Sequence, residues 1–423
     1  MDIYEYILDK KEISLIILIF IILTIFMSII IPPFEAPDEP GHLEYINFLA
    51  NNFRLPNQYK YFIGSEGHQP PLYYFLLSII LRLIDSNNQI NLNINENNRD
   101  LLNFHIIRII QIIFSIITIL FSYKILLLIS DNNYYLANIG TFFIITLPQF
   151  VFISAVINND NLANMLSTIS IFHLFRMFKN YRNIKDYIYF SIFLGFSLIT
   201  KLTSLFLFIP FLFIFLIKIF EEKNRITIFK YFSISIVIIF IISGWYFLYN
   251  KFIYGDFFSL KVQFDTLPFL VSKKTIFSNY FLNGIFTKTL FYSFVGVFGW
   301  MNILLPKYII NIYFYIFLFS IACYIIIKKY RNNIFVSISF IIIISILVEI
   351  IFYNLKFSQP QGRFLFPAIS NITFLIWYPI IDIIKKINQN LKLIRFKEII
   401  FYIFLVFFFY SIIYSINSLI NYY

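Results

Sequence analysis

A ladder of span-length apolar runs limits what this chain can become more than any other feature. The first, Ile13–Ile31, is long enough to cross about 30 Å of hydrocarbon. Ten more follow: Ile106–Ile129, Tyr134–Ile157, Leu162–Phe178, Tyr187–Thr200, Leu202–Ile219, Tyr231–Leu248, Tyr308–Ile327, Ile334–Tyr353, Leu365–Ile384 and Ile399–Ile416. Composition agrees. The 423 residues are 60% hydrophobic and 13% charged, against about 45–50% and about 25% in an ordinary globular domain. A soluble fold could not hide so much apolar surface. The chain therefore reads as an all-α polytopic membrane protein, 1–423 forming one membrane domain. A disordered chain, a disulfide scaffold and a nucleic-acid-binding domain are excluded. The one cysteine, Cys323, permits no intrachain disulfide.

Charge sets the sidedness. Lys10 and Lys11 precede the first run and place the N-terminus inside. No small-residue cleavage site follows, so the run reads as an uncleaved signal anchor. Two further apolar stretches are ambiguous: Leu72–Leu83 is short and holds Arg82, and Thr289–Leu305 is interrupted by Gly296, Gly299 and Asn302. Reading both as interfacial or re-entrant leaves about 11 spans. It also puts Arg176–Lys185, Lys218–Lys230 and Lys328–Arg331 inside, as the positive-inside rule requires. The net charge of +11 then belongs largely to inner loops. Residues 32–105 become a first outer loop with interfacial helices, and residues 249–307 a second large outer segment. The Asn-rich stretch Ser86–Asn103 reads as a loop.

The unusual chemistry falls on the outer face. Asp38 and Glu39 precede Pro40, with His42 close by. Leu43, Ile46, Leu49 and Phe53 recur at helical spacing, as in a helix lying flat on the leaflet. A carboxylate before a proline is an ordinary N-cap. Equally, a carboxylate kept ionised at a helix N-terminus can act as a general base. The second cluster, EGHQPPLYY, brings His68 and the interface-depth pair Tyr73 and Tyr74. Asp160, in INNDNLA, reads either as an N-cap or as a site acid. Asp38, His42 and Asp160 are candidate ligands for a divalent metal, without a tight ligand spacing. Arg108, Lys201 and Glu349 are charges near span ends, where snorkelling competes with function. Arg363, in SQPQGRFLFPA, offers a fork of donors suited to phosphate. Outer Lys201 and Arg363 ask for an anionic partner, ordinary anionic headgroups being the plain alternative to a substrate.

Together these pieces resemble the GT-C superfamily of polytopic glycosyltransferases, which includes the protein O-mannosyltransferases and the aminoarabinose transferases of lipid A. The matching elements are the Asp38–Glu39 pair in the first outer loop, His68-Gln69-Pro70-Pro71 with one inserted residue, Arg108, Asp160 and Thr200–Lys201. A closer likeness is to a bacterial membrane-protein family. Its marks appear here as Pro37–His42, Trp245 with Tyr254-Gly255-Asp256, Phe298-Gly299-Trp300, and Gln361-Gly362-Arg363-Phe364 with Pro367.

The resemblance implies an inverting hexosyl- or pentosyltransferase of the bacterial cytoplasmic membrane. It would move a sugar from a polyprenyl-phosphate donor to a glycan, lipid or protein acceptor on the outer face. By that analogy Asp38, or Glu39, deprotonates the acceptor. Arg363, Lys201 and Arg108 hold the phosphate, with Gln361, His42, His68 and Asp160 beside the substrate. A possible divalent metal is the only cofactor in view, membrane lipids are partners, and nucleic acid is not. A polysaccharide polymerase or ligase using lipid-linked glycans fits the same outline. A lipid or glycan transporter fits less well, because it should place charges at the midplane.

Overall fold

Proline and asparagine, more than apolarity, decide where the helices of this chain break. The computed structural model describes residues 3–85, 90, 98–391 and 396–423. After α1 (Ile3–Ile30) come two short helices, α2 (Glu39–Asn52) and α3 (Leu72–Ile84), then the long α4 (Asn98–Ile129). The third predicted span is split into α5 (Tyr134–Thr146) and α6 (Pro148–Ser154), bent by 66°. Pro148 lacks an N–H and forces the preceding Leu147 into an extended conformation (ψ 111°). Next are α7 (Asn159–Lys179), α8 (Ile184–Leu198), a 3₁₀ turn at Leu202–Leu207, α9 (Phe208–Glu221) and α10 (Arg225–Tyr254).

The second large segment holds α11 (Leu260–Thr266), α12 (Asn279–Leu282), α13 (Ile285–Val295) and a two-stranded antiparallel hairpin. Its strands, β1 (Val297–Phe298) and β2 (Ile303–Leu304), pair Val297 with Leu304 and Phe298 with Ile303. The chain ends with α14 (Lys307–Ile326), α15 (Lys328–Arg331), α16 (Ile334–Lys356), a 3₁₀ turn at Gly362–Ala368, α17 (Ile369–Leu391) and α18 (Phe396–Tyr422).

Every predicted span falls on a helix. Among the described residues, eight helices are long and apolar enough to cross a bilayer, nine if the bent α5–α6 pair is one span. The other two of the predicted eleven are α7 and α8. Helix α8 has only 15 residues. Helix α7 has 21 residues but buries many polar side chains, including Asn161, Asn164, Ser167 and Ser170. Several are matched inside the protein: Asn161 donates to Ile153 O at 2.9 Å, and Ser167, Ser197 and Ser204 form a hydroxyl triangle with edges of 2.6–3.1 Å. Helix α17 is almost wholly enclosed, whereas α1, α10 and α18 expose Leu15, Leu18, Ile22, Phe240, Ile241 and Val406. Such faces are stable only against lipid or another apolar surface. The chain is a multi-pass membrane protein.

Two expectations for residues 32–105 change. The apolar stripe of α2 does not lie on a leaflet. Leu43, Ile46 and Leu49 are buried with Tyr73, Tyr74, Leu77, Phe104 and Ile107 in a separate core. Tyr73 and Tyr74, expected as interface anchors, are fully buried, and Tyr45 stacks on Tyr74 at 4.0 Å. The helices spend their apolar faces on each other because α2 and α3 are both short and neither can bury its stripe alone. Of the Asn-rich stretch, residues 98–103 are not loop but the first turns of α4, while 86–89 and 91–97 lie outside the described residues.

The 249–307 segment is stitched over the chain that leads to Arg363. Ser272 N donates to Lys356 O (2.8 Å), Lys274 N to Leu355 O (3.1 Å) and Ser358 N to Leu270 O (3.1 Å). Asp256 caps the following turn by accepting from Phe258, Leu260 and Lys261 N, and Trp300 Nε1 donates to Phe34 O at 3.3 Å. The middle sequence boxes are thus joints.

Candidate active site

The Pro32–Asp38 loop is tight and conformationally strained. Phe34 and Asp38 both have positive φ (70° and 67°), a region few non-glycine residues occupy. Glu39 and Arg108 hold it there. Arg108 donates to both Glu39 carboxylate oxygens (3.0 and 2.9 Å) and to the carbonyls of Ser28, Ile31 and Pro32 (2.7, 2.6 and 3.1 Å). Glu39 also accepts from Phe34 N (3.1 Å) and Ile157 N (2.9 Å). Both side chains are 0% exposed. Arg108 does not snorkel and does not face the cavity described below, and neither does Glu39. Together they form a buried clamp joining α1, α2, α4 and the end of the α6 connection.

Asp38 is the residue this clamp presents. It occupies the N-cap position of α2, but its side chain makes no capping hydrogen bond. The carboxylate turns instead to Arg363, whose Nη2 lies 2.5 Å from Asp38 Oδ2. Asp160 is likewise not a cap. Asn158 caps α7, its side-chain oxygen accepting from Asp160 N at 2.8 Å. That frees the Asp160 carboxylate, which meets Lys201 Nζ at 2.5 Å and stands 3.4 Å from Arg363 Nε. Two carboxylates and two cations from four distant parts of the chain therefore alternate around one point. Phe364 lies against both cations, 5.2 Å from Lys201 Nζ and 5.8 Å from Arg363 Cζ.

Gly362 makes this geometry possible. A Cβ there would stand 2.1 Å from Phe294 N and 2.6 Å from Leu290 O, so only glycine lets the 362–368 turn approach α13. Gly362 N also donates to Ser293 Oγ at 2.8 Å. Gly362→Ala is expected to cost about 1–3 kcal/mol through overpacking and to swing Arg363 off Asp38. Thermal unfolding in detergent checks the first effect, and a structure of the variant the second.

The cluster opens on a cavity of about 340 Å³. Its lining combines Asp38, His42, Glu66, His68, Lys201 and Arg363 with apolar side chains, among them Leu205, Leu267, Leu270, Ile346 and Phe352. Glu349 and Lys356 of α16 line it as well, and Glu349 accepts from Phe206 N at 3.0 Å. Glu349 thus faces this cavity. Gln361 does not line it but faces a small cleft behind Arg363, near Pro37 and Gln149.

Electrostatics distinguish these groups. Burial pushes the Asp38 carboxyl up, but the cations Arg363 and Lys201 help outweigh it, and Asp38 sits below the usual aspartate value. Burial and the Asp38 charge push Glu66 up to about 7. Burial lowers His42 to about 3 and His68 to about 4, so both rings are neutral near pH 7. His68 Nδ1 donates to Ser65 O (3.0 Å) and His42 Nδ1 pairs with Tyr74 Oη (2.9 Å). Arg363 keeps donor capacity in hand, because Nε and Nη1 are buried without a hydrogen-bond partner.

The metal expectation does not fit this arrangement. Among the described residues no three His, Cys, Asp or Glu side chains come together as a ligand set. Asp38 and Asp160 are neutralised by Arg363 and Lys201, and a divalent ion would have to displace both.

Comparison with known proteins adds the fold. Residues 102–247 match the family described as dolichyl-phosphate-mannose-protein mannosyltransferase. That region holds Arg108, Asp160 and Lys201 but neither Asp38 nor Arg363. No curated protein sequence matches the chain. Among solved structures, ArnT from Cupriavidus metallidurans in the apo state is similar over 86% of this chain, with TM-score 0.50 and 11% identity. The oligosaccharyltransferase of Archaeoglobus fulgidus, in complex with zinc and sulfate, is similar over 96%, with TM-score 0.52 and 13% identity. The chain has the GT-C fold.

The chain spans 59% and 53% of the lengths of those two proteins. Sequence reasoning brought six charged or histidine residues of this cavity into view: Asp38, His42, His68, Lys201, Glu349 and Arg363. It passed over Glu66, which stands in the quoted EGHQPP cluster two residues before His68, and Asn159, which lines the cavity and accepts from Lys201 Nζ at 3.1 Å. Their signal was membership of the polar clusters EGHQPP and INNDNLA in an apolar chain.

Proposed function

We propose that this cavity transfers a glycosyl group from a polyprenyl-phosphate donor to a hydroxyl of an envelope acceptor, by one displacement with inversion at the sugar carbon. The observation that carries the reading is Arg363. Its guanidinium is buried with donors to spare, it shares Asp160 with Lys201, and it lines a cavity with both polar and apolar walls. A lipid-linked phosphate has the same two-part character, an anion for the fork and a hydrocarbon for the apolar walls. Arg363 and Lys201 stabilise the charge that builds on the leaving phosphate, and this preorganised electrostatic term supplies much of the rate. Asp160 holds Lys201 in place, and a carboxylate lining the cavity takes the acceptor proton. The family match to the mannosyltransferases and the GT-C fold support the same reading.

The protein then works at the outer face of a bacterial cytoplasmic membrane with its N-terminus inside, because the basic segments 176–185, 218–230 and 328–331 favour the cytoplasm. Cysteine placed at Arg182 in a Cys323→Ala background is expected to resist a membrane-impermeant maleimide in intact cells, and cysteine at Lys60 to react. The reverse pattern would overturn the sidedness. The activity itself is tested with purified protein and a panel of polyprenyl-phosphate hexoses and pentoses. Transfer that survives unchanged in both Asp38→Asn and Arg363→Ala would remove this cavity from the reaction.

A further inference from the structure

Two carboxylates face the reaction cavity close to Arg363, and their circumstances differ. Asp38 is committed. Its Oδ2 carries the 2.5 Å contact with Arg363, and protonating it would release the guanidinium just as the phosphate needs it. Glu66 appears in none of the ion pairs among the described residues; Ser65 is its hydrogen-bond partner. Its backbone is fixed by the Gln69 N→Glu66 O bond (2.9 Å). Its side chain is pressed against α2, since a Cβ on Gly41 would lie 3.1 Å from Glu66 Cγ. It lines the cavity, as does His68.

We propose that Glu66, rather than Asp38, accepts the proton of the acceptor hydroxyl, and that Asp38 is a positioning residue for Arg363. The proposal rests on the transferase reading above. In the step, the acceptor O–H bond breaks and its proton goes to a Glu66 carboxylate oxygen. The freed electron pair forms the new bond to the sugar carbon. The bond from that carbon to the phosphate oxygen breaks, and the phosphate leaves with its electron pair, facing Arg363 and Lys201. A general base works best when its proton affinity matches the working pH. Glu66 meets this condition, since burial and the neighbouring Asp38 charge push it up to about 7. Asp38 does not, being held below its usual value. The charged and titratable groups around Glu66 are Asp38 and His42 on α2, His68 on its own segment, Tyr74 on α3, Lys201 and Arg363, and Tyr353 on α16. The two histidines stay neutral through the relevant range, so they do not produce the same titration.

Two measurements on the purified full chain test this. Infrared titration should show a protonated carboxyl that ionises near pH 7, is missing in Glu66→Gln and persists in Asp38→Asn at lower pH. In transfer assays with the working donor from the panel, Glu66→Gln should lower kcat by about 10²–10⁴-fold with little change in donor KM. The acid limb of the pH profile should disappear, and Glu66→Asp should recover part of the rate. Asp38→Asn should instead raise the donor KM and keep an acid limb. The proposal is overturned if no such carboxyl titrates, if Glu66→Gln retains wild-type kcat, or if the two variants show the opposite pattern. Wild-type protein that binds polyprenyl phosphate yet moves no sugar would sink the transferase reading itself, whatever the infrared titration says of Glu66.

Discussion

Arg363→Ala is expected to remove donor binding and turnover together. Charge-assisted hydrogen bonds contribute about 1.5–3 kcal/mol each. Losing two donors to one phosphate therefore corresponds to roughly 10²–10⁴ in kcat/KM. The structure adds a second cost. Arg363 is the only cation within ion-pair distance of Asp38 among the described residues, and it also approaches Asp160. Its removal leaves Asp38 unpaired and Asp160 with Lys201 alone. Arg363→Lys tells the two effects apart. An ammonium restores the charge but not the fork, so it should recover the folded protein and little of the affinity. Polyprenyl-phosphate binding, thermal unfolding and transfer measured on both variants check this. A lysine variant with wild-type kcat/KM would show that only net charge matters at this position.

The second large effect lies outside the cavity. Arg108→Met breaks a buried pair and strands Glu39, which costs about 3–5 kcal/mol. That is a large share of the stability of an ordinary domain. Four carbonyl and carboxylate partners of the guanidinium are orphaned with it, including Ser28 O and Ile31 O. The expected outcome is a sharp fall in folded yield and Tm in detergent. The double variant Glu39→Gln with Arg108→Met removes both charges and should regain part of the Tm. Its recovered fraction should bind polyprenyl phosphate nearly normally, because neither residue lines the cavity. A well-folded Arg108→Met protein that has lost phosphate affinity would return Arg108 to the binding site.

The same contrast shows how far the residues alone reach. Asp38 and Glu39 are neighbours in sequence and look alike there, as two acids before a proline. The left-handed conformation at Asp38 sends their side chains apart, one to Arg363 and the cavity, the other to Arg108 and the interior. No local pattern announces that choice, because it depends on partners 325 and 69 residues away. Asp160 is similar: Asn158 and Asp160 are both good N-caps, and the structure gives the cap to Asn158. Tyr73 and Tyr74 looked like interface anchors because aromatic residues before an apolar run usually are, yet they are buried in a core with α2, α4 and α7.

Apolar periodicity and length act locally, so the all-helical membrane class, the position of every predicted span and the polar boxes were legible before any coordinates. The fold also shows why length alone miscounts crossings. Helix α7 hides its asparagines and serines against other helices, and α5–α6 bends at Pro148. What the residues by themselves determined is therefore a stack of apolar helices with a few charges kept to their ends. Only the tertiary structure decided which of those charges face one another, because a buried ion must find its countercharge in three dimensions and the chain places the two members of each pair far apart.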